Sequence, residues 1–228
     1  MKIAMVIVAA ACALSLAGCR SATSNAPGAN PADDSLNAAQ AATSRAASAG
    51  AFDYYLLNLS WSPEFCYSHP QAAECAQHVA FVLHGLWPQN TDGSYPEHCS
   101  TLPGPANPAE FQDLYPDEGL LRHEWQTHGT CSGMNADAFF AAARKAVHSV
   151  AIPAELTMLH AQASLSPAEI VSDFAQSNPS FPPSSLRISC GHNYLTAVEI
   201  CLDKGLHPIA CPASLRSCRA STVRIVAP

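Results

Sequence analysis

Apolar and polar positions alternate most clearly in FDYYLLNLSW (52–61), where Tyr55, Leu57, Leu59 and Trp61 fall on one side. A period of two predicts a half-buried strand. HVAFVLHGLW (78–87) is denser in apolar and β-branched residues and reads as a central strand running into Pro88. A turn-rich loop, QNTDGSYPEHC, follows it. Beyond the loop the period lengthens: helical patterns occupy 107–115 and 117–131, and 136–150 is a good helix by propensity. Ser166-Pro167-Ala168-Glu169 forms a capping box with proline at the first helical position, so another helix begins there. After FPPSS the chain turns extended again, through LRISC, YLTAVEICLD, a short LHPIAC and TVRIV. Strands at both ends with helices between predict an α+β domain, an antiparallel central sheet flanked by helices. No internal repeat is visible.

The first fifty residues read differently. Lys2, a largely apolar run over 3–16 and the small residues of LAGC describe an export signal over 1–18, too short to span a bilayer comfortably. Cys19, directly after Leu16-Ala17-Gly18, resembles a bacterial lipobox cysteine, which would carry the lipid anchor of an outer-membrane lipoprotein facing the periplasm or cell surface. A simply cleaved signal, releasing a soluble periplasmic or secreted protein, is the alternative. Residues 21–50 hold eleven alanines and five serines, with Leu36 the only larger aliphatic. Such a stretch buries too little apolar surface to offset its ordering entropy, so 19–50 reads as a flexible tether. Residues 51–228 remain as a single domain.

Eight of the ten cysteines lie in that domain. An even number behind an export signal implies four disulfides. From residue 51 onward there are eight Lys+Arg and sixteen Asp+Glu, a charge of −8 with the histidines neutral. All ten histidines lie in the same span, so protonating them would carry the domain to about +2. A polyanion-binding surface of lysine and arginine stripes is thus excluded at neutral pH, and an anionic substrate would be held locally, and better in acid.

HEWQTHGTC (123–131) holds the densest candidate chemistry. A zinc-hydrolase helix needs HExxH, with both histidines on one face. Here the second histidine comes one residue later, and Thr127 stands where the ligand should be. If both residues are helical, His123 and His128 lie roughly 140° apart around the axis, too far to share one ion. Glu124 and His128 share a face instead, at i,i+4 spacing, where a carboxylate can orient an imidazole. His123 sits on the adjoining face of the same turn. This suits acid–base chemistry with an extra cationic donor for an anion, and the bland reading is a surface ion pair on a helix.

FVLHGLWPQ (81–89) puts His84 at the end of an apolar strand. In this order and separation, FVLHGLWPQ and HEWQTHGTC resemble the two active-site segments of the ribonuclease T2 family, the acid endoribonucleases. YYLLNLSWSPEFC resembles the family's first strand and ISC…YLTAVEICL its late hairpin, so the resemblance covers 52–226. It implies cleavage of single-stranded RNA with little base specificity. The ribose 2′-OH attacks phosphorus and the 5′-oxygen leaves, giving a 2′,3′-cyclic phosphate, with no cofactor and no metal ion. His128 becomes the base and His84 the acid, the reverse assignment staying open. Glu124 and His123 stabilise charge and bind phosphate, while Trp87 and Tyr95 stack bases. Gln89 stands where relatives often carry aspartate, which leaves base preference open. Thr127 departs from the lysine many members carry there, leaving His123 more of the burden of charge. The resemblance also implies the bridges Cys66–Cys75, Cys99–Cys131, Cys190–Cys218 and Cys201–Cys211. RNA is the one expected partner of a monomer whose membrane contact would run only through the N-terminal lipid. Two other classes stay in view: a weakened family member acting as an RNA-binding or envelope protein, and a metallohydrolase that chelation would silence.

Overall fold

The computed structural model describes residues 49–77 and 79–228. The expected export signal, the lipobox-like Cys19 and the expected tether up to residue 48 lie outside the described residues, as does His78. Residues 49 and 50, read as the end of the tether, are placed: the Gly50 amide donates to the Cys131 carbonyl at 2.8 Å.

Six strands form one sheet: β1 (Tyr54–Trp61), β2 (Phe81–Gln89), β3 (Ala163–Leu165), β4 (Leu186–Gly191), β5 (Tyr194–Leu202) and β6 (Val223–Ile225). Their order is β2-β1-β5-β6-β3, with β4 also pairing β5. All pairs are antiparallel except β5 with β6, which meet in parallel at Tyr194 and Arg224. The helices are α1 (Ser62–Ser68), α2 (Glu118–Thr127), α3 (Ala136–His148), α4 (Ala154–Thr157) and α5 (Pro167–Ser177). The α+β class expected from the pattern holds.

Several elements differ from expectation, each for a physical reason. β1 is buried on both faces rather than half-buried. Tyr55, Leu57, Leu59 and Trp61 enter the main core with Phe139 and Phe140 of α3 and Ile170 and Phe174 of α5. Tyr54 and Leu56 pack on the opposite face against Cys201 and Cys211. β2 is an edge strand, not a central one, and this explains how Pro88 sits inside it: a residue without an N–H is tolerated where one side of the strand has no partner. The helical pattern at 107–115 is only a 3₁₀ turn, Pro108–Phe111, and the pattern at 117–131 breaks after Thr127. LHPIAC forms an isolated bridge between Leu202 and Pro208 rather than a strand. The capping box at Ser166 and Glu169 is formed in both directions.

Four disulfides staple this frame, Cys66–Cys75, Cys99–Cys131, Cys190–Cys218 and Cys201–Cys211, the same pairs the resemblance implied. Cys99–Cys131 fixes the loop after β2 to the turn that follows α2, assisted by the His98 amide donating to the Thr127 carbonyl at 2.9 Å. Closing a loop of this length contributes about 3–4 kcal/mol by restricting the unfolded chain. Two segments far apart in sequence are thereby clamped together.

Candidate active site

The β1–β2 register places the first histidine. Asn58 pairs with Gly85 and Leu59 with Leu83, so His84 is the extra residue of a β-bulge. A bulge re-aims one side chain out of the regular alternation. His84 thus reaches the face that carries Trp87, with its side chain 44% exposed. Its Nδ1 lies 3.2 Å from Ser60 Oγ, its Nε2 4.0 Å from Glu124 Oε1, and its ring meets the Trp87 ring edge-on at 5.1 Å.

The second group comes from the end of α2. Asp117 caps the helix, its carboxylate accepting from the Gly119 amide at 2.7 Å. Leu121 and Trp125 face the core, which turns Glu124 toward β2. Glu124 is wholly buried, and its Oε2 accepts a 2.8 Å hydrogen bond from Trp87 Nε1. The contact depends on Gly85, where a Cβ would collide with both Trp87 Nε1 and Glu124 Oε2. His128 lies just beyond the helix, at φ −111° and ψ −48°. Gly129 follows because a Cβ there would run into Trp125 and Phe139. No hydrogen bond joins the Glu124 and His128 side chains among those present, so the ring orientation expected from their i,i+4 spacing is not what the structure shows. His128 is 9% exposed, packs 5.3 Å from the Trp87 ring, and its Nδ1 has no hydrogen-bond partner among the described residues.

His123 is exposed, 6.1 Å from the His128 ring, with Thr127 Oγ1 3.4 Å from its Nδ1. The ligating atoms of His123, Glu124 and His128 all fall within 4.8 Å of one another. This overturns the rotation argument made from sequence: its premise, both histidines in one helix, fails because the helix ends at Thr127. Tetrahedral zinc, with bonds near 2.0–2.1 Å, holds its donors about 3.3 Å apart, so a group spread over up to 4.8 Å must contract to share one ion.

Burial sets the protonation states. Desolvation, reinforced by the charges of His123, His84 and His98, pushes His128 down to about 4. His84 is lowered as well, by burial first and His123 second. Glu124 moves the other way, up to about 8, because burial outweighs the Trp87 hydrogen bond. The 4.0 Å approach of His84 and Glu124 is therefore no ion pair in the free site at neutral pH, where both groups are uncharged. In this state Glu124 is a carboxylic acid whose Oε1 has no hydrogen-bond partner among the described residues. Tyr115 behind it is buried, and its hydroxyl too is kept protonated, well above 10, by desolvation and by Glu124.

Beside His128 a cavity of about 300 Å³ is lined by Leu56, Trp87, Gln89, Tyr95 and Glu97. The three residues expected to touch bases therefore share one hollow with one imidazole. Ser60 and Gly85 were not singled out from sequence. Gly85 lies within the quoted motif but its role is a close approach that no pattern reveals, and Ser60 becomes visible only through the register of β1 on β2.

The Ribonuclease T2 family model matches residues 52–211. A "Ribonuclease" of Aeromonas hydrophila is 50% identical over 93 residues, covering 40% of this chain and 43% of that protein. A "Probable ribonuclease" of Haemophilus influenzae is 30% identical over 178 residues, covering 70% of this chain and 61% of the relative. The chain thus spans less than two thirds of either relative's length. "Ribonuclease DdI" of Dictyostelium discoideum is 32% identical across 72% of this chain and 79% of its own. Among solved structures, an RNase-related protein from Calystegia sepium superposes with a TM-score of 0.60 at 24% identity, covering 75% of this chain and 96% of its own. RNase NT in complex with 5′-AMP superposes at 0.58 and 21% identity, covering 78% and 98%. At these identities the superpositions establish the fold.

Proposed function

The chain belongs to the ribonuclease T2 family, and from that premise we propose that it is an endoribonuclease cleaving single-stranded RNA through a 2′,3′-cyclic phosphate. The observation that carries the proposal is the convergence of His84, Glu124, His128 and Trp87, drawn from two clamped segments, around one face of the sheet. The relatives' names point the same way, and one neighbouring structure holds a nucleotide, 5′-AMP.

The protonation states favour one division of labour. A general base must be neutral; His128, pushed down to about 4, is neutral through most of the acid range. A general acid must be protonated, and His84, lowered from 6.5, holds its proton only in acid unless an anion offsets the cost. A phosphodiester beside the ring supplies that anion. The product of neutral His128 and protonated His84 peaks between about 4 and 6.5, an acid optimum. Glu124, neutral below about 8, can donate from its unpartnered oxygen to a phosphoryl oxygen as charge develops there. His123, exposed with its ring 6.1 Å from that of His128, takes the phosphate-binding role. Trp87 and Tyr95 stack bases without choosing among them, worth about 1–3 kcal/mol per base, with Gln89 at the same hollow. Four disulfides fit an oxidising compartment, hence export; the lipid anchor on Cys19 and the monomeric state are part of the same proposal.

Digesting single-stranded RNA in acid, with and without EDTA, tests this reading. Cyclic-phosphate ends, unaffected by chelation and reduced about 10²–10⁴-fold in His84→Ala and in His128→Ala, are expected. Loss of activity in EDTA would instead support the metallohydrolase reading, to which the convergence of His123, Glu124 and His128 lends some geometry.

A further inference from the structure

Cleavage requires one nitrogen of His84 to change its proton while the other stays constant. Resting on the ribonuclease reading above, we propose that Ser60 is the positioning residue that enforces this, its hydroxyl holding the Nδ1–H so that Nε2 alone works on substrate. Ser60 projects from β1 and its Oγ lies 3.2 Å from His84 Nδ1. The bulge that frees His84 from the strand register brings the ring over this hydroxyl. Nε2, on the opposite side of the ring, points toward Glu124 Oε1 at 4.0 Å, and Trp87 closes a third side at 5.1 Å.

The other groups facing His84 leave Nδ1 to Ser60. Phe65 and Leu120 line the same small hollow and are apolar. Glu74 lines it too, but its carboxyl accepts from Ser62 Oγ at 2.9 Å and is shifted toward the neutral form by burial. Glu124 lies on the Nε2 side, and His123 acts through charge alone. Among the described residues, Ser60 is the one side chain hydrogen-bonded to Nδ1.

The same contact serves both chemical steps. As the 2′-oxygen gives its proton to His128 and bonds to phosphorus, the P–O5′ bond breaks. The Nε2 proton of His84 passes to the departing O5′, and the proton on Nδ1 stays there, hydrogen-bonded to Ser60. When water opens the cyclic phosphate, its oxygen bonds to phosphorus and its proton goes to the vacant Nε2. The P–O2′ bond breaks, and O2′ takes its proton from the other imidazole. Ser60 accepts from Nδ1–H throughout. The hydrogen bond on one ring nitrogen dictates which tautomer the other presents. A hydroxyl does this without adding a charge that would hold the Nε2 proton too tightly.

Ser60→Ala and Ser60→Thr in the full chain test the proposal, by kinetics on a dinucleotide across acid and neutral pH and by ¹⁵N NMR of His84. Ser60→Ala should lower kcat about three- to tenfold with KM unchanged and move the alkaline limb of the pH profile to lower pH. Its neutral ring should carry the proton on Nε2, and Ser60→Thr should restore the wild-type pattern. A Glu74→Gln variant should leave the limb in place; if it reproduces the Ser60→Ala shift, the proposal is overturned. So is it if Ser60→Ala keeps the wild-type kcat and limb, or if the neutral wild-type ring already carries its proton on Nε2. That last reading stands whether or not the alanine variant folds. Wild-type protein that cleaves no RNA at any pH would defeat the ribonuclease reading, while the NMR result would still decide the role of Ser60.

Discussion

The two segments that build the site solve opposite problems. β2 offers His84 from an edge strand, half in solvent, lifted out by a bulge. The end of α2 offers Glu124 and His128 from a nearly dry interior, where Oε1 of one and Nδ1 of the other have no hydrogen-bond partner among the described residues. An unpartnered buried polar atom costs about 1–3 kcal/mol, and under the proposed reaction the helical half would offer these groups to the oxygens of a bound phosphodiester. The contrast separates the causes acting on the two imidazoles: desolvation at the helix end, with the charges of His123, His84 and His98, pushes His128 down to about 4, while burial and His123 lower His84. The strand half then supplies access, and the helical half supplies tuning.

The comparison breaks most severely at the buried carboxyl. Glu124→Ala removes the oxygen that pairs with Trp87 and the one facing His84, and kcat should fall about 10²–10³-fold, measured on a dinucleotide in acid. Glu124→Gln keeps an acceptor for Trp87 and a donor for phosphate, so it should stay within about tenfold of wild type. A glutamine as poor as alanine would show that Glu124 works as an anion and not as a neutral donor. A smaller effect is expected at the seam between the halves. Gly85→Ala forces Trp87 and Glu124 apart, and displacements near 1 Å cost up to about 10² in rate. Folding should survive, with KM rising as the Trp87 platform tilts.

Much of this site could be read from the chain, and the failures are physically specific. His84, Glu124 and His128 stood out because each lies in a motif of unusual residue types. The antiparallel frame followed from the alternation in 52–61 and from extended segments at both ends of the domain with helices between. What the pattern missed depends on contacts across the chain. β1 is buried twice over because the cystine Cys201–Cys211 supports a second apolar cluster under Tyr54 and Leu56, and alternation predicts only one dry face. β2 looks central because it is dense in apolar and β-branched residues, yet edges are set by pairing, which sequence density does not report. The rotation argument against a convergent His123–His128 pair assumed a continuous helix, whereas the helix ends at Thr127 with His128 as its cap. Ser62–Ser68 went unread although Pro63 and Glu64 mark a helix start.

The smallest expected effect is on stability and sharpens the contrast in sign. Glu124 is raised on folding, so its contribution is full below 4.5 and is lost as pH rises through about 8. His128 is lowered, so its contribution is present above 6.5 and is lost as pH falls through about 4. Denaturant unfolding of Glu124→Gln should therefore show a flatter decline between pH 4.5 and 8 than wild type, by a few kcal/mol at most. A decline of equal slope would mean that the carboxyl ionises freely in the folded protein.

The pH dependence of kcat/KM on a dinucleotide, taken in EDTA, tests the pairing of a buried base with an accessible acid most directly. The account predicts a bell with its acid limb near 4, its maximum below 6.5, and a cyclic phosphate as first product. A rate that climbs steadily through neutral pH, or that vanishes with the chelator, would contradict it.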